Sequence, residues 1–458
     1  MDSMLPSMGT SKSVLLLGAG FVTRPTAVEL DKAGIYVTVA CRTLESAKKL
    51  CEGLQYANAI ALDVSDDAAL EREVGRVGLV ISLIPYIFHA QVIKAAIKTK
   101  KHCVTTSYVS EAMMALDQEA KDAGITVFNE IGLDPGLDHL YAVKTIHEVH
   151  EQGGRVLGFW SYCGGLPAPE NSDNPLGYKF SWSPRGVLLA ARNTGVYYKD
   201  DKVETTPGEK LMSTAKPYLI YPGYATEAYP NRDSTPFRAR YSIPEARNLV
   251  RGTLRYQGNP AFVQKLRDLG LLSEEPQEYL KTATTWQEAF AKIIGSSSST
   301  EKDLVWAVSS KTEFANNEEK DRILAGLRWI GLFSDEKIEP RGTALDCLCA
   351  TLEKKMQYEK GERDFVLLQH KFEIEWADGK REMRTSTLAE YGEPEGSGKY
   401  SAMAKLVGVP CAVAVQMVLN GEIKDRGVLA PVTYELAEPI RVKLQKEYGI
   451  ELKEKTLA

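Results

Sequence analysis

The chain has 458 residues, 44% hydrophobic and 26% charged, the balance of a soluble globular protein with two or three domains of roughly 150 residues each. Its net charge of −5 argues against a nucleic-acid-binding surface but leaves room for a local basic pocket that takes an acidic small molecule. Seven cysteines, an odd number with no C-x-x-C pair, suggest neither a disulfide framework nor a zinc ribbon. No run approaches the roughly 18 apolar residues of a membrane helix, and the opening MDSMLPSMGTSK holds no apolar signal segment. The expectation is a cytoplasmic protein without membrane or nucleic-acid partners.

The first informative stretch runs over 14–42: VLLLGAG, FVTRPTAVELDKAG, IYVTVACR. An apolar run stops at Gly18-Ala19-Gly20, a helical pattern follows to Gly34, and a second apolar run closes on Cys41-Arg42. Strand, glycine turn, helix, strand is the order that sets a dinucleotide pyrophosphate on a helix N-terminus. Thr23 replaces the third glycine of G-x-G-x-x-G, so the fingerprint alone is weak. Where an acidic residue would grip the ribose 2′-hydroxyl of NAD, the chain reads Cys41-Arg42-Thr43. A guanidinium there pairs with a 2′-phosphate and stacks on adenine, so the cofactor read from these residues is NADP(H).

The alternation continues. A helix from about Leu44, a strand at 59–62, a helix N-capped by Ser65, a strand at 79–83 and a helix from about His89 follow. A strand at 103–105, a helix from about Glu111 and a strand at 126–128 complete the set. Six short apolar runs separated by amphipathic segments predict a Rossmann-type, doubly wound parallel α/β sheet whose ligand crevice lies beyond the strand C-termini. The candidate cofactor residues on that crest are Gly18, Gly20, Phe21, Val22 and Thr23, then Cys41, Arg42 and Thr43, Asp63 and Val64, and Ile84. Thr106, Ser107, Leu133, Asp134 and Pro135 continue it toward the nicotinamide end.

From Gly154 the character changes to strand-like runs at 156–162, 178–182 and 196–199, broken by loops dense in Gly, Pro, Tyr and Asn. Asp200-Asp201 and Asp378-Gly379 read as hairpin turns, the second between 365–376 and 381–388. This predicts an α+β substrate domain with a largely antiparallel sheet. Between about 259 and 358 the chain is helical: Asn259-Pro260 reads as an N-cap with proline in the first turn, and Thr285 with Glu288 as a capping box. The run 400–419 predicts an almost wholly apolar helix that packs the chain back onto the first domain or onto a partner subunit. The expected division is 1–133 for the nucleotide domain, rejoined by about 395–458. Residues 134–255 and 343–394 would form the substrate domain, with 256–342 as a helical insertion.

Several stretches carry more loop and polar residues than a fold needs: TTSYVS, EIGLDPGLDH, SYCGGLPAPE, NPLGYKFSWSPR, YPNRDS and RGTLR. With GAGFVTRP, VACRTLESAKKL, ISLIPY, AMAKLVGVP and DRGVLAP they make the chain, from about Lys12 onward, resemble the fungal saccharopine reductases, the NADP-linked, glutamate-forming saccharopine dehydrogenases. The resemblance implies reductive condensation of 2-aminoadipate 6-semialdehyde with L-glutamate, through an imine, to saccharopine in lysine biosynthesis. It also implies a three-domain subunit in a homodimer.

By the same resemblance Arg232 grips a substrate carboxylate with help from Thr253, Leu254 and Arg255. Ser107 and Tyr108 supply hydroxyl donors, and Asp134 and Trp182 wall the reacting end. Three carboxylates and an amine call for guanidinium forks and neutral donors rather than a metal. Carbinolamine formation and loss of water need proton transfer near neutral pH, for which Asp134 and Tyr108 are the catalytic candidates beside water or a substrate carboxylate. His147 and His150 read as solvent-facing and Cys347 and Cys349 as core residues, so no metal is expected. Two alternatives stay open at this point. A related imine reductase on another amino acid or a polyamine would want acidic pocket residues if its substrate were a polyamine, and an NADP-sensing regulator without turnover would not need the polar loops.

Overall fold

The computed structural model describes residues 12–457, so the opening residues MDSMLPSMGTS lie outside the described part. The six apolar runs become strands β1 (Ser13–Leu17), β2 (Tyr36–Cys41), β3 (Ala57–Ala61), β4 (Leu79–Ser82), β5 (His102–Thr105) and β6 (Thr126–Phe128). They lie in the order β6-β5-β4-β1-β2-β3, every neighbouring pair parallel. Helices on both faces bury the sheet, which is why β1 and β4 read as continuous apolar runs rather than alternating ones. Order and direction are those of a nucleotide-binding sheet that reverses between β1 and β4.

The second sheet holds β7 (Arg155–Pro167), β8 (Gly195–Lys199), β9 (Lys202–Thr206), β10 (Lys216–Pro217), β11 (Thr226–Pro230), β12 (Asn248–Tyr256), β13 (Asp364–Glu375) and β14 (Arg381–Tyr391). Its spine runs β11-β12-β7-β13-β14, antiparallel except for the parallel pair β12–β7. The β8–β9 hairpin turns on Asp200-Asp201, both at positive φ (49° and 62°), as a tight two-residue hairpin requires. The β13–β14 hairpin turns at Asp378-Gly379. A layer of helices, among them Asn259–Asp268, Trp286–Ile294, Asn317–Ile330 and Ala344–Lys355, packs around Trp286, Phe262 and Phe290. The Thr285–Glu288 capping box is present.

Local expectations fail where a competing contact wins. Helix Asp67–Gly75 is capped by Asp66, whose Oδ1 accepts Ala69 N–H at 3.0 Å, while Ser65 turns back to Asp63. Residues 178–182 form no strand: Tyr178 and Phe180 are buried among Phe262, Val263 and Met356, and Phe180 N–H bonds the Met356 carbonyl at 3.0 Å. Asn259 is the first helical residue rather than the cap. Gly258 takes the cap position at φ 86°, and the Asn259 amide reaches back to the Leu176 carbonyl at 2.8 Å. His147 stacks on Tyr434 at 3.6 Å and His150 bonds Glu245 at 2.8 Å, so neither simply faces solvent.

Helix Ala402–Leu419 is long and apolar enough to cross a membrane, contrary to the expectation that no run would be, yet 78% of it is buried within the protein. It lies along helix Thr23–Lys32, where Thr26 Oγ1 bonds the Gly408 carbonyl at 2.9 Å. A Cβ on Gly408 would stand 2.8 Å from the Val22 carbonyl oxygen, so the close approach needs glycine there. Asp364 at the start of β13 accepts the Ala402 and Met403 N–H groups at 2.7 and 2.8 Å, seating the helix N-terminus on the second sheet. Two further strands end the chain: β15 (Gly427–Leu429) pairs with β6 in the first sheet, and β16 (Lys453–Thr456) with β14 in the second.

Candidate active site

The candidate cofactor residues gather at the C-terminal ends of β1 to β6. Gly18 follows β1 at φ 106°, and a Cβ there would meet the Leu83 carbonyl oxygen at 2.6 Å, so the turn itself demands glycine. Gly20 differs: nothing lies within 4 Å of where its Cβ would be, so the open space beside it suits a ligand rather than the protein's own packing. Thr23, which replaces the third glycine, is buried and bonds the Gly20 carbonyl through Oγ1 at 2.8 Å, bracing the turn. Phe21 is 53% exposed and Val22 half-buried.

Cys41 ends β2, and Arg42 and Thr43 are exposed beyond it. Asp63 follows β3 with Val64. Its carboxyl is held below the usual range by the Ser65 amide and hydroxyl, with Arg42 adding to the effect. Ile84 stands beside Gly18. Thr106, after β5, packs on Gly132, next to the buried Leu133 and Pro135 that follow β6. The residues present fit a dinucleotide with a 2′-phosphate.

At the other end of the crest a tight polar cluster forms. The Tyr108 hydroxyl donates to Asp134 Oδ1, and Arg251 Nη2 reaches Tyr108 Oη and Asp134 Oδ1, both at 3.0 Å, and also Asp138 Oδ2. Asp134 Oδ2 bonds to no described residue and so remains for a ligand. Arg232 lays its guanidinium over the Tyr108 ring at 3.4 Å, and its buried Nε has no partner among the described residues. Burial pushes the Tyr108 phenol well above its ordinary value despite Arg232 and Arg251, so it stays an O–H donor at neutral pH. Burial works against the Arg251 cation, but Asp138, Tyr108, Tyr241 and Asp134 hold it charged.

Two buried groups set the loop that carries Ser107 and Tyr108. His89 Nε2 lies 2.8 Å from Ser107 Oγ and its Nδ1 2.8 Å from Ser82 Oγ. Burial lowers this imidazole to about 4, so it bridges the two serines as a neutral ring. Glu130 accepts the Val109 N–H at 3.0 Å, His139 Nε2 at 2.7 Å and Arg240 Nη2 at 2.9 Å, joining the loop to the second domain. Burial works to raise the Glu130 carboxyl, but His139, Arg240 and Val109 hold it at about 2.

A folded value of about 2 against 4.5 contributes roughly 3 kcal/mol that is fully present above pH 4.5 and is lost as pH falls toward 2. Wild type should therefore lose about 2 kcal/mol more unfolding free energy than Glu130→Gln between pH 6 and pH 3 by that linkage. Urea titrations at both pH values measure the difference, and equal losses would contradict the network.

The remaining substrate candidates separate. Thr253 and Arg255 share one face of β12 with Arg251, in strand alternation. Asn231 donates to Thr253 Oγ1 at 2.9 Å. Arg255 is buried over the Tyr178 ring and, with Tyr178, Tyr229 and Asn259, lines a cavity of about 20 Å³. Leu254 points to the opposite face, packed with Leu166, Ala228, Phe365 and Leu367, and only its carbonyl reaches Arg255, at 2.7 Å. Trp182 is half-buried against Gly186. Sequence reasoning did not single out Arg251, Asp138, Glu130, His139 or His89. The polar stretches EIGLDPGLDH and RGTLR flagged the neighbourhoods of Glu130, Asp138, His139 and Arg251 without a role for any one of them, and the period-two spacing of Arg251, Thr253 and Arg255 was the further local signal.

Residues 14–128 match the saccharopine dehydrogenase NADP binding domain and 132–450 the saccharopine dehydrogenase C-terminal domain. The chain is 66% identical to the NADP-linked, L-glutamate-forming saccharopine dehydrogenase of Pyricularia oryzae, over 98% of this chain and 100% of that one. Its identity to the Saccharomyces cerevisiae protein of the same name is 56%, again over 98% and 100%. The solved apo structure of the histidine-tagged saccharopine dehydrogenase (L-Glu forming) from Saccharomyces cerevisiae superposes with a TM-score of 0.87 at 56% identity, over 98% of this chain and 100% of that one. With both halves matched and the relatives aligned end to end, the chain belongs to the saccharopine dehydrogenase family.

Proposed function

We propose that the chain catalyses the NADPH-dependent reductive condensation of L-2-aminoadipate 6-semialdehyde with L-glutamate to saccharopine, a step of lysine biosynthesis. It is an oxidoreductase acting on a CH–NH bond, and it works as a homodimer in the cytoplasm. The observation that carries the reading is that two guanidinium groups, Arg232 over the Tyr108 ring and Arg255 over the Tyr178 ring, have no carboxylate partner among the described residues and stand one at each end of the 251–255 stretch of β12. Asn231 N–H bonds the Arg251 carbonyl, which puts the Arg232 loop at the Arg251 end of β12. Arg255 is four residues further along, roughly 13 Å at strand rise. A long substrate with carboxylates at both ends suits that spacing, whereas a polyamine would need acids where these arginines stand.

The glutamate amine attacks the aldehyde carbon, the carbinolamine loses water, and the resulting iminium carbon is reduced. Bound NADPH supplies the hydride. Tyr108, kept protonated, turns its single O–H from Asp134 Oδ1 to the departing oxygen, and Asp134 Oδ2 handles the amine proton. Ser107 orients the substrate beside them, held by neutral His89. NADPH oxidation with the semialdehyde should require added glutamate, and oxidation without it would contradict the condensation. Light scattering that gives a monomer mass would remove the homodimer from the reading.

The cofactor preference has its own test. Arg42→Asp removes a 2′-phosphate partner and adds a repulsive charge, and each charge-assisted bond is worth about 1.5–3 kcal/mol. NADPH should lose at least about tenfold in affinity relative to NADH by that figure. Titrating both cofactors into wild type and variant decides it, and equal wild-type affinities would sink the claim.

A further inference from the structure

Asp138 has no place among the residues assigned to cofactor or substrate, yet both of its carboxylate oxygens are engaged beside the Tyr108–Asp134 cluster. It stands on the first turn of helix Leu137–Glu151 with 1% of its side chain exposed, so no substrate reaches it. Its Oδ1 accepts the Gly136 N–H at 2.6 Å and its Oδ2 accepts Arg251 Nη2. That same nitrogen reaches Asp134 Oδ1 and Tyr108 Oη. The other two guanidinium nitrogens are buried with no hydrogen-bond partner among the described residues, and the group lies 4.1 Å from the Phe237 ring centroid. One nitrogen therefore makes every polar contact, and Asp138 together with the Phe237 face decides where it stands.

Burying such an ion pair costs as much as it returns, and a well-packed apolar pair of the same size serves a fold equally well or better. What the pair does provide is a single position for Nη2. We propose that Asp138 is a positioning residue for the reaction, acting through Arg251 to hold the Asp134 carboxylate and the Tyr108 hydroxyl in the one arrangement that meets the substrate. The proposal rests on the saccharopine reading. A purely structural role for Asp138 is the rival.

Wild type, Asp138→Asn, Arg251→Met and the double variant are compared as full chains by saccharopine oxidation with NADP⁺, nucleotide binding and thermal melting. Wild type is measured first, and failure to oxidise saccharopine overturns the functional reading itself. Given wild-type turnover, Asp138→Asn should lower kcat roughly tenfold or more while the KM for saccharopine and the NADP⁺ Kd change less than about threefold. The double variant should have the kcat of Arg251→Met alone, because Asp138 acts only through the guanidinium. It should also melt above Arg251→Met, since it leaves no guanidinium-deprived Asp138 charge buried. Unchanged kcat in Asp138→Asn with a lowered melting temperature assigns Asp138 to the fold and overturns the proposal. A further independent loss of kcat on adding Asp138→Asn to Arg251→Met overturns it as well. If Arg251→Met does not fold, the kcat-against-KM split of Asp138→Asn alone decides.

Discussion

Replacing Arg232 by alanine raises the apparent KM for saccharopine roughly 30-fold or more, since a truncated partner of a desolvated ion pair costs about 2–4 kcal/mol. Among the described residues the side chain has no carboxylate partner and its buried Nε has no bond, and its guanidinium stands over the Tyr108 ring at 3.4 Å, which leaves polar nitrogens for a ligand. The fold loses only the stacking contact, about 0.5–1 kcal/mol at a partly exposed site. Melting temperature and NADP⁺ affinity therefore stay near wild type. Arg232→Lys restores part of the loss, because an ammonium keeps the charge without the planar fork. The decisive measurement is saccharopine kinetics beside thermal unfolding on the same two variants. An alanine variant that melts several degrees lower with unchanged KM makes the residue structural.

The larger effect is expected on turnover. Asp134→Asn should lower kcat about 100-fold or more, the usual scale for removing a group that moves a proton in the rate-determining region. Asp134 Oδ1 is taken by Tyr108 and Arg251, and Oδ2 is left to the pocket. Asparagine keeps the size and one acceptor but cannot carry the proton. Nucleotide affinity should be little changed, and steady-state rates at saturating saccharopine measure the loss. A fall of less than about threefold would shift proton transfer to water or to a substrate carboxylate.

The crest of the first sheet was legible in the sequence because each of its residues ends an apolar run, and a parallel sheet brings all such ends to one side. Arg232 was legible from its motif, and the structure then placed it on Tyr108, across 124 residues of chain that no local pattern spans. Arg251 and Asp138 escaped notice for the same reason: their bond joins positions 113 apart, and a lone arginine in a strand carries no mark of its partner. Leu254 came through the resemblance, as part of the 253–255 loop; strand alternation turns its side chain to the opposite face, and its backbone stays on the strand between Thr253 and Arg255. Residues 178–182 have the composition of a strand. Their aromatics found a helical layer to fill, a tertiary preference that overrides local propensity.

The two short closing strands have a consequence for how the molecule is made. During synthesis the nucleotide sheet emerges with β6 as a raw edge and stays so until residues 427–429 leave the ribosome, some 300 positions later. The apolar helix that covers helix Thr23–Lys32 arrives only shortly before. Contacts of such sequence separation close slowly, because the loop entropy is lost before the contacts repay it. For most of translation the first lobe is thus an unfinished surface with an open strand edge, dependent on chaperones or slow completion. A fragment ending near residue 133 would inherit that condition permanently, and would aggregate rather than bind nucleotide as an autonomous module.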